Sequence, residues 1–280
     1  MSLSFQTNVT ALTAENNLQV NSNFQSQTIT RLTSGFRINS SGDDAAGLAV
    51  ANGLRSTVSE LTQGVRNAND GTSILQTIDG GLNNISNILD QLKSLATQSA
   101  SGTFSGDRNT LNQEFTTLLG EIDRQSANIG LGSGSGTSAQ YNASITVYIG
   151  GGSTQANAQV TIDLSGSGNV VNSGGLGIGS DTIDTQANAL QAITDLTAAV
   201  TALGKTQGAV GTGENDLRFA ISLAESQITN FSAAESRIRD ADIAAEAANL
   251  TKAQILMQAG VAALAQANSA PQAVLSLLKG

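Results

Sequence analysis

The chain has 280 residues and a mass of 28.4 kDa, with 12% charged and 3% aromatic residues, one Pro, and no Cys, His or Trp. Without His or Cys, disulfides, thiolate nucleophiles, Ser-His-Asp catalysis and the common zinc and iron sites are excluded, so no enzyme activity, metal or cofactor is expected. A net charge of −9 leaves no basic stripe for nucleic acid, and no apolar run reaches the roughly 18 residues of a membrane span.

The first 34 residues read as a weak amphipathic helix: Leu18 and Leu32 are seven-spaced through Gln25, joined by Leu3, Val9, Leu12 and Phe24. No basic segment followed by an apolar run marks an ordinary cleaved secretion signal here. A second helix opens after Asp43 and Asp44, whose charges suit a helix N-terminus. Its seven-residue series is Leu54, Leu61, Ala68, Leu75, Leu82, Leu89 and Ala96, flanked by Val58, Val65, Ile78, Ile85 and Leu92, and the Ser- and Gly-rich stretch from Ser99 to Gly106 ends it. A shorter antiparallel helix follows, with Leu111 and Leu118 on one register and Phe115, Ile122 and Ile129 on another.

From 130 to 179 thirteen residues are Gly and Asp163 is the only charge. Ile145, Val147 and Ile149 alternate with polar neighbours, as do Val160, Ile162 and Leu164, which predicts a β-hairpin within 141–164 at the tip of a helical rod. From Ile183 the helical series resumes as Leu196, Leu203, Val210, Leu217, Ala224, Phe231 and Ile238. Gly204, Gly208, Gly211 and Gly213 each cost about 1 kcal/mol relative to Ala, so tight helix contacts or a kink are expected there. The last segment carries Ile243, Leu250, Met257 and Leu264 with Ala247 and Val261. Ser269 and Pro271 read as an N-cap and first-turn pair that restarts a short terminal helix bearing Val274, Leu277 and Leu278.

Two clusters resemble chemical motifs without meeting their requirements. Gly204-Lys205-Thr206 lacks the Gly that a phosphate loop needs five residues earlier, where Ala199 stands. Asp240, Asp242 and Glu246 lie beside Arg237 and Arg239, so they read as a solvated or salt-bridged face rather than a divalent-metal site. The fold class expected from these patterns is mainly α, with long antiparallel coiled-coil-like helices in two layers and a small inserted β-hairpin region. The two terminal segments, rich in Ala, Asn, Gln, Ser and Thr, bury little apolar area as a lone pair. They are expected to order by packing against neighbouring copies.

The segment Ser34-Gly35-Phe36-Arg37-Ile38-Asn39-Ser40-Ser41-Gly42-Asp43-Asp44-Ala45-Ala46-Gly47-Leu48-Ala49 closely resembles the N-terminal signature of bacterial flagellin. Ser236-Arg237-Ile238-Arg239-Asp240-Ala241-Asp242-Ile243, Gln254-Ile255-Leu256 and the run from Gln266 to Leu278 resemble its C-terminal signature. The resemblance covers residues 1–130 and 183–280. It implies a secreted, extracellular structural subunit that self-assembles into the flagellar filament, a passive helical propeller for motility. A hook-filament junction or cap-type protein, or a surface adhesin or receptor ligand, are the alternatives.

The implied organisation is an inner-tube layer from 1–43 and 240–280, rod helices over 44–130 and 183–239, and a Gly-rich variable segment over 131–182 that is too short for large outer domains. A zinc peptidase in that segment, known in some flagellins, is excluded by the absent His. The implied subunit-interface residues are Leu3, Val9, Leu12, Leu18, Phe24, Leu32, Ile243, Leu250, Met257, Val261, Leu264, Val274, Leu277 and Leu278, and the junction signature comprises Arg37, Asn39, Asp43, Asp44, Arg237, Asp240 and Asp242. Implied partners are other copies of the chain, the flagellar type III export apparatus, an export chaperone, and filament cap and junction proteins. Members that stimulate the vertebrate innate flagellin receptor use the segment matching Gln91 to Ser99. Leu95 and Glu114 fit that pattern, whereas Gln91 stands where an Arg is typical and removes a bidentate donor.

Overall fold

A computed structural model describes residues 7–133, 136–151, 158–165 and 169–278, with side chains described as far as Ser269. Among these residues the elements are α1 (Val9–Ser34), α2 (Ala45–Ala100), α3 (Arg108–Asn128), β1 (Ser144–Tyr148), β2 (Gln159–Asp163), α4 (Gln186–Arg239) and α5 (Ile243–Leu278). The expected mainly α architecture with one small antiparallel hairpin is the one observed. The chain divides into two compact units, 57–229 and 1–56 with 230–280.

In the unit 57–229 the seven-residue series of α2 is the core. Leu61, Ala68, Leu75, Leu82, Leu89 and Ala96 are fully buried, and Ile78, Ile85 and Leu92 fill the alternate positions. α4 contributes Leu196, Leu203, Val210, Leu217 and Ala224, in the register its spacing predicts. α3 begins beside the end of α2, where Arg108 Nε donates to Ser99 O and Nη2 to Ser101 O, both at 3.0 Å. It ends with Ile129 packed over Gly81, so the two helices are antiparallel as expected. Phe115, Leu119 and Ile122 face the core, while Leu111 and Leu118 are half-buried on the flank.

The Gly-rich segment is irregular but anchored. Leu131, Val171, Ile178 and Ile183 are buried, Ser173 donates from N and Oγ to the Asp123 carboxylate, and Ser99 Oγ donates to Ile183 O at 2.5 Å. The hairpin pairs Ile145 with Ile162 and Val147 with Val160, so its apolar residues share one face. That face does not cap the rod tip, contrary to expectation. It lies along α2 and α4, where Val147 meets Gly71 and Ile162 meets Gly213, and Asn67 Nδ2 donates to Tyr148 O at 3.0 Å. The cause is the return of α3, whose 21 residues carry the chain about 30 Å back along the rod before β1 begins. Of the four α4 glycines only Gly213 makes a close approach. Gly204, Gly208 and Gly211 face open space, and α4 runs unbroken.

In the unit 1–56 with 230–280, α1 and α5 pack antiparallel, with Leu18 over Gly260 and Arg31 paired to Glu246 at 3.3 Å. Asn8 caps the start of α1, and Gly35 ends it in the left-handed conformation (φ 74), donating its N–H to Arg31 O at 2.8 Å. Pro271 does not restart a helix. α5 is continuous from Ile243 to Leu278, and Ser269 Oγ donates back to Gln266 O rather than capping a new turn. The Ala267 carbonyl, which Pro271 leaves without a helical donor, accepts from Asn8 Nδ2 instead.

Candidate functional site

The signature segments meet where four helix ends come together, and their residues supply what those ends lack. A helix leaves its first N–H groups and last C=O groups unpaired. At the start of α2, Asp44 Oδ1 accepts from Gly47 N at 2.8 Å, and at the start of α5, Asp242 Oδ1 accepts from Ala244 N and Ala245 N at 2.9 and 3.1 Å. Both are N-caps, which is a more direct role than the dipole effect alone.

At the end of α4, Arg37 donates from Nη2 to Ile238 O at 2.7 Å and from its backbone N to Arg239 O at 2.6 Å. Phe36 bridges to Asp240, Ala241 N donates to Gly35 O at 2.9 Å, and the Arg239 guanidinium lies 4.1 Å from the centre of the Phe36 ring. Ile38, 1% exposed, fits against the space at Gly47. Asp43 Oδ2 accepts from the backbone N–H of Ser40 and Asn39 and from the Ser40 hydroxyl, and these bonds hold its carboxyl below the ordinary range. Asp240 accepts from Ser236 Oγ at 2.6 Å, and Arg237 is exposed. Glu246, which the sequence groups with Asp240 and Asp242, is buried against Arg31 instead.

The α1–α5 pair mixes large apolar residues with small and polar ones in its seam and leaves other large apolar residues exposed. The α1 seam, at alternating three- and four-residue spacing, reads Ala11, Ala14, Leu18, Asn21, Gln25, Thr28 and Leu32, and the α5 seam reads Glu246, Leu250, Ala253, Met257, Gly260, Leu264 and Ala267; each of these is buried or half-buried, as is Phe24. Meanwhile Val9 (64%), Leu12 (55%), Ile243 (52%) and Val261 (58%) are exposed. The expected interface residues therefore fall into two sets: Leu18, Phe24, Leu32, Leu250, Met257 and Leu264 are shielded within the pair, and these four are exposed, Ile243 at the first turn of α5 in line with the seam and the others beside or opposite it. Leu3 lies outside the described residues, and so do the side chains of Val274, Leu277 and Leu278.

Val20, Ile29, Ile255 and Leu256 are also exposed, and the sequence reading missed them because they lie off the seven-residue series. At about 100° per residue, Val9, Leu12 and Val20 cluster on the side of α1 turned away from its seam. That geometry is calculable from the sequence once the seam is known. Gln91 and Glu114 are exposed and Leu95 is half-buried. Since α3 starts beside Ser99 and ends over Gly81, Glu114 stands near the level of Leu95.

Models of the bacterial flagellin N-terminal and C-terminal helical regions match residues 5–129 and 190–278. A flagellin of Halalkalibacterium halodurans is 35% identical over 282 residues, covering 97% of this chain and 98% of that one. The flagellar filament 33 kDa core protein of Treponema phagedenis is 35% identical over 276 residues, covering 94% of this chain and 93% of that one. The crystal structure of Bacillus cereus flagellin, 28% identical, aligns over 61% of this chain and 94% of that chain with a TM-score of 0.48.

Proposed function

The chain belongs to the bacterial flagellin family and is a structural subunit of the flagellar filament, and we propose that it assembles through the outward faces of α1 and α5. One observation carries this reading: the terminal pair turns Ala14, Asn21, Gln25 and Thr28 into its seam while Val9, Leu12, Val20 and Ile29 stay in solvent. Burying a Val, Leu or Ile side chain contributes about 1.5–3 kcal/mol. Eight such side chains on α1 and α5 are exposed, so docking against neighbouring copies supplies on the order of 10–20 kcal/mol per subunit before the entropy of ordering is subtracted.

In this reading 1–43 with 240–280 form the inner layer of the filament, 44–130 with 183–239 form the outer rod, and the hairpin segment 131–182 braces the rod. The filament is an extracellular passive propeller without catalysis. Its subunits leave the cell through the flagellar type III export apparatus with an export chaperone, and they add between junction and cap proteins. The exposed Gln91, with Leu95 and Glu114, forms a weakened contact for the innate flagellin receptor, because an amide lacks the paired donors of a guanidinium. The test is seeded growth: purified chain added to sheared filament ends should elongate them without limit under electron microscopy. Chain that stays monomeric with all seeds and salts would count against the proposal.

A further inference from the structure

In an unbroken α-helix the carbonyl of residue 267 accepts from the N–H of residue 271. Pro271 has no N–H, and Ala267 O instead accepts from Asn8 Nδ2 at 2.9 Å, across 259 positions of sequence. The other end of the same amide is also engaged. Asn8 Oδ1 accepts from Ala11 N at 3.1 Å and from Thr10 Oγ1 at 2.6 Å, capping α1. With the oxygen committed to two donors, only the NH2 group is left to face Ala267, so the network fixes the orientation of the amide.

We infer that Asn8 and Pro271 form a clasp that sets the register of α1 against α5 and makes the two chain ends order as one unit. Pro271 frees a carbonyl inside α5, and the residue that caps α1 is the donor that closes it. Capping alone does not account for the choice of Asn. Asp caps as well and suits the helix dipole better, but it has no N–H to offer. The position matters because the last seam residues described here are Ala11 and Ala267, whose methyl groups add little burial. The clasp lies within one subunit and does not depend on which faces meet in the filament.

Hydrogen exchange of the amides of residues 10–18, read by mass spectrometry on filaments, tests it with Asn8→Asp, Asn8→Ser, Pro271→Ala and the double variant Asn8→Ser/Pro271→Ala. Loss of one such bond corresponds to about a fivefold change in opening. Asn8→Asp should exchange about fivefold faster than wild type even though its cap is as good. Asn8→Ser should accelerate exchange by a similar factor when Pro271 is present, and by less than about twofold with Pro271→Ala, where a restored N–H occupies the carbonyl. Asn8→Asp exchanging at or below the wild-type rate would overturn the clasp, as would Asn8→Ser having the same effect in both backgrounds. A wild-type chain that forms no filament would count against the proposed assembly instead, and the same cycle would then be read on the soluble chain.

Discussion

Replacing Gly64 with Ala should destabilise the rod, whereas the same replacement at Gly80 should stabilise it. Both are α2 residues, so both gain about 0.5–1 kcal/mol of helix propensity from the methyl group. Their surroundings differ. A Cβ at Gly64 would sit 1.7 Å from Ile149 O and 2.4 Å from its carbonyl carbon, whereas a Cβ at Gly80 meets nothing within 4 Å. The obstacle at Gly64 is backbone, so no rotamer change relieves it, and the chain following β1 must retreat by more than an ångström.

Overpacking of this kind costs about 1–3 kcal/mol, and more where the backbone resists. A net loss of about 2 kcal/mol at Gly64→Ala lowers the melting midpoint by about 4–8 °C for a unit of this size, while Gly80→Ala raises it by about 1–4 °C. Thermal melts of the monomer by circular dichroism measure both. If Gly64→Ala melted at or above wild type, or if Gly80→Ala fell as far as Gly64→Ala, the placement of the hairpin against α2 would be wrong.

Ser99→Ala should lower the rod's stability by about 1–3 kcal/mol, because the buried Ile183 carbonyl loses the hydroxyl that donates to it; urea unfolding would show a lower midpoint with an unchanged slope. Glu121 is held down at about 2 from an ordinary 4.5, chiefly by its bond from Arg124 and then by that from Gln125. A depressed folded value contributes stability above the unfolded value and loses it as pH falls, so the melting midpoints of wild type and Glu121→Gln should differ above about pH 4.5 and converge toward pH 2. Val261→Asp alters an exposed side chain, so the monomer should melt as wild type does. Seeded elongation should nevertheless stop, because the charge would have to enter an apolar contact.

The rod was legible because its seam is made of large residues. Each Leu of the α2 series that the sequence picks out from Leu61 onward is buried, so period and core coincide. The terminal pair was not legible in the same way. Its seam mixes Leu18, Leu32, Leu250, Met257 and Leu264, which the seven-residue spacing picks out, with Ala14, Asn21, Gln25, Thr28 and Gly260, which carry no hydrophobic signal, and Val9, Leu12 and Val20 stay exposed outside it. Asp44 at the start of α2 was legible from local spacing, whereas Asp242 read as part of a charged face and proved to be a cap; Arg37 reaching Ile238 O spans 201 positions, and no local pattern announces it. Alternation located both strands of the hairpin, yet its seat on the rod depends on which glycines face it. Gly64, Gly71 and Gly213 receive the hairpin while Gly204, Gly208 and Gly211 face solvent, a distinction that glycine identity does not encode. Pro271 misled for a related reason, since the donor that serves the carbonyl it leaves unpaired lies at the other end of the chain.

The most direct test of the account is a filament reconstruction at side-chain resolution. Val9, Leu12, Val20, Ile243 and Val261, all exposed in the single subunit, should be covered by neighbouring copies, with Leu18 still seated over Gly260 of its own chain. Filaments in which those five side chains remained in solvent, or in which α1 had left α5 to pair with a neighbour, would contradict the claim that the terminal pair assembles through its outward faces.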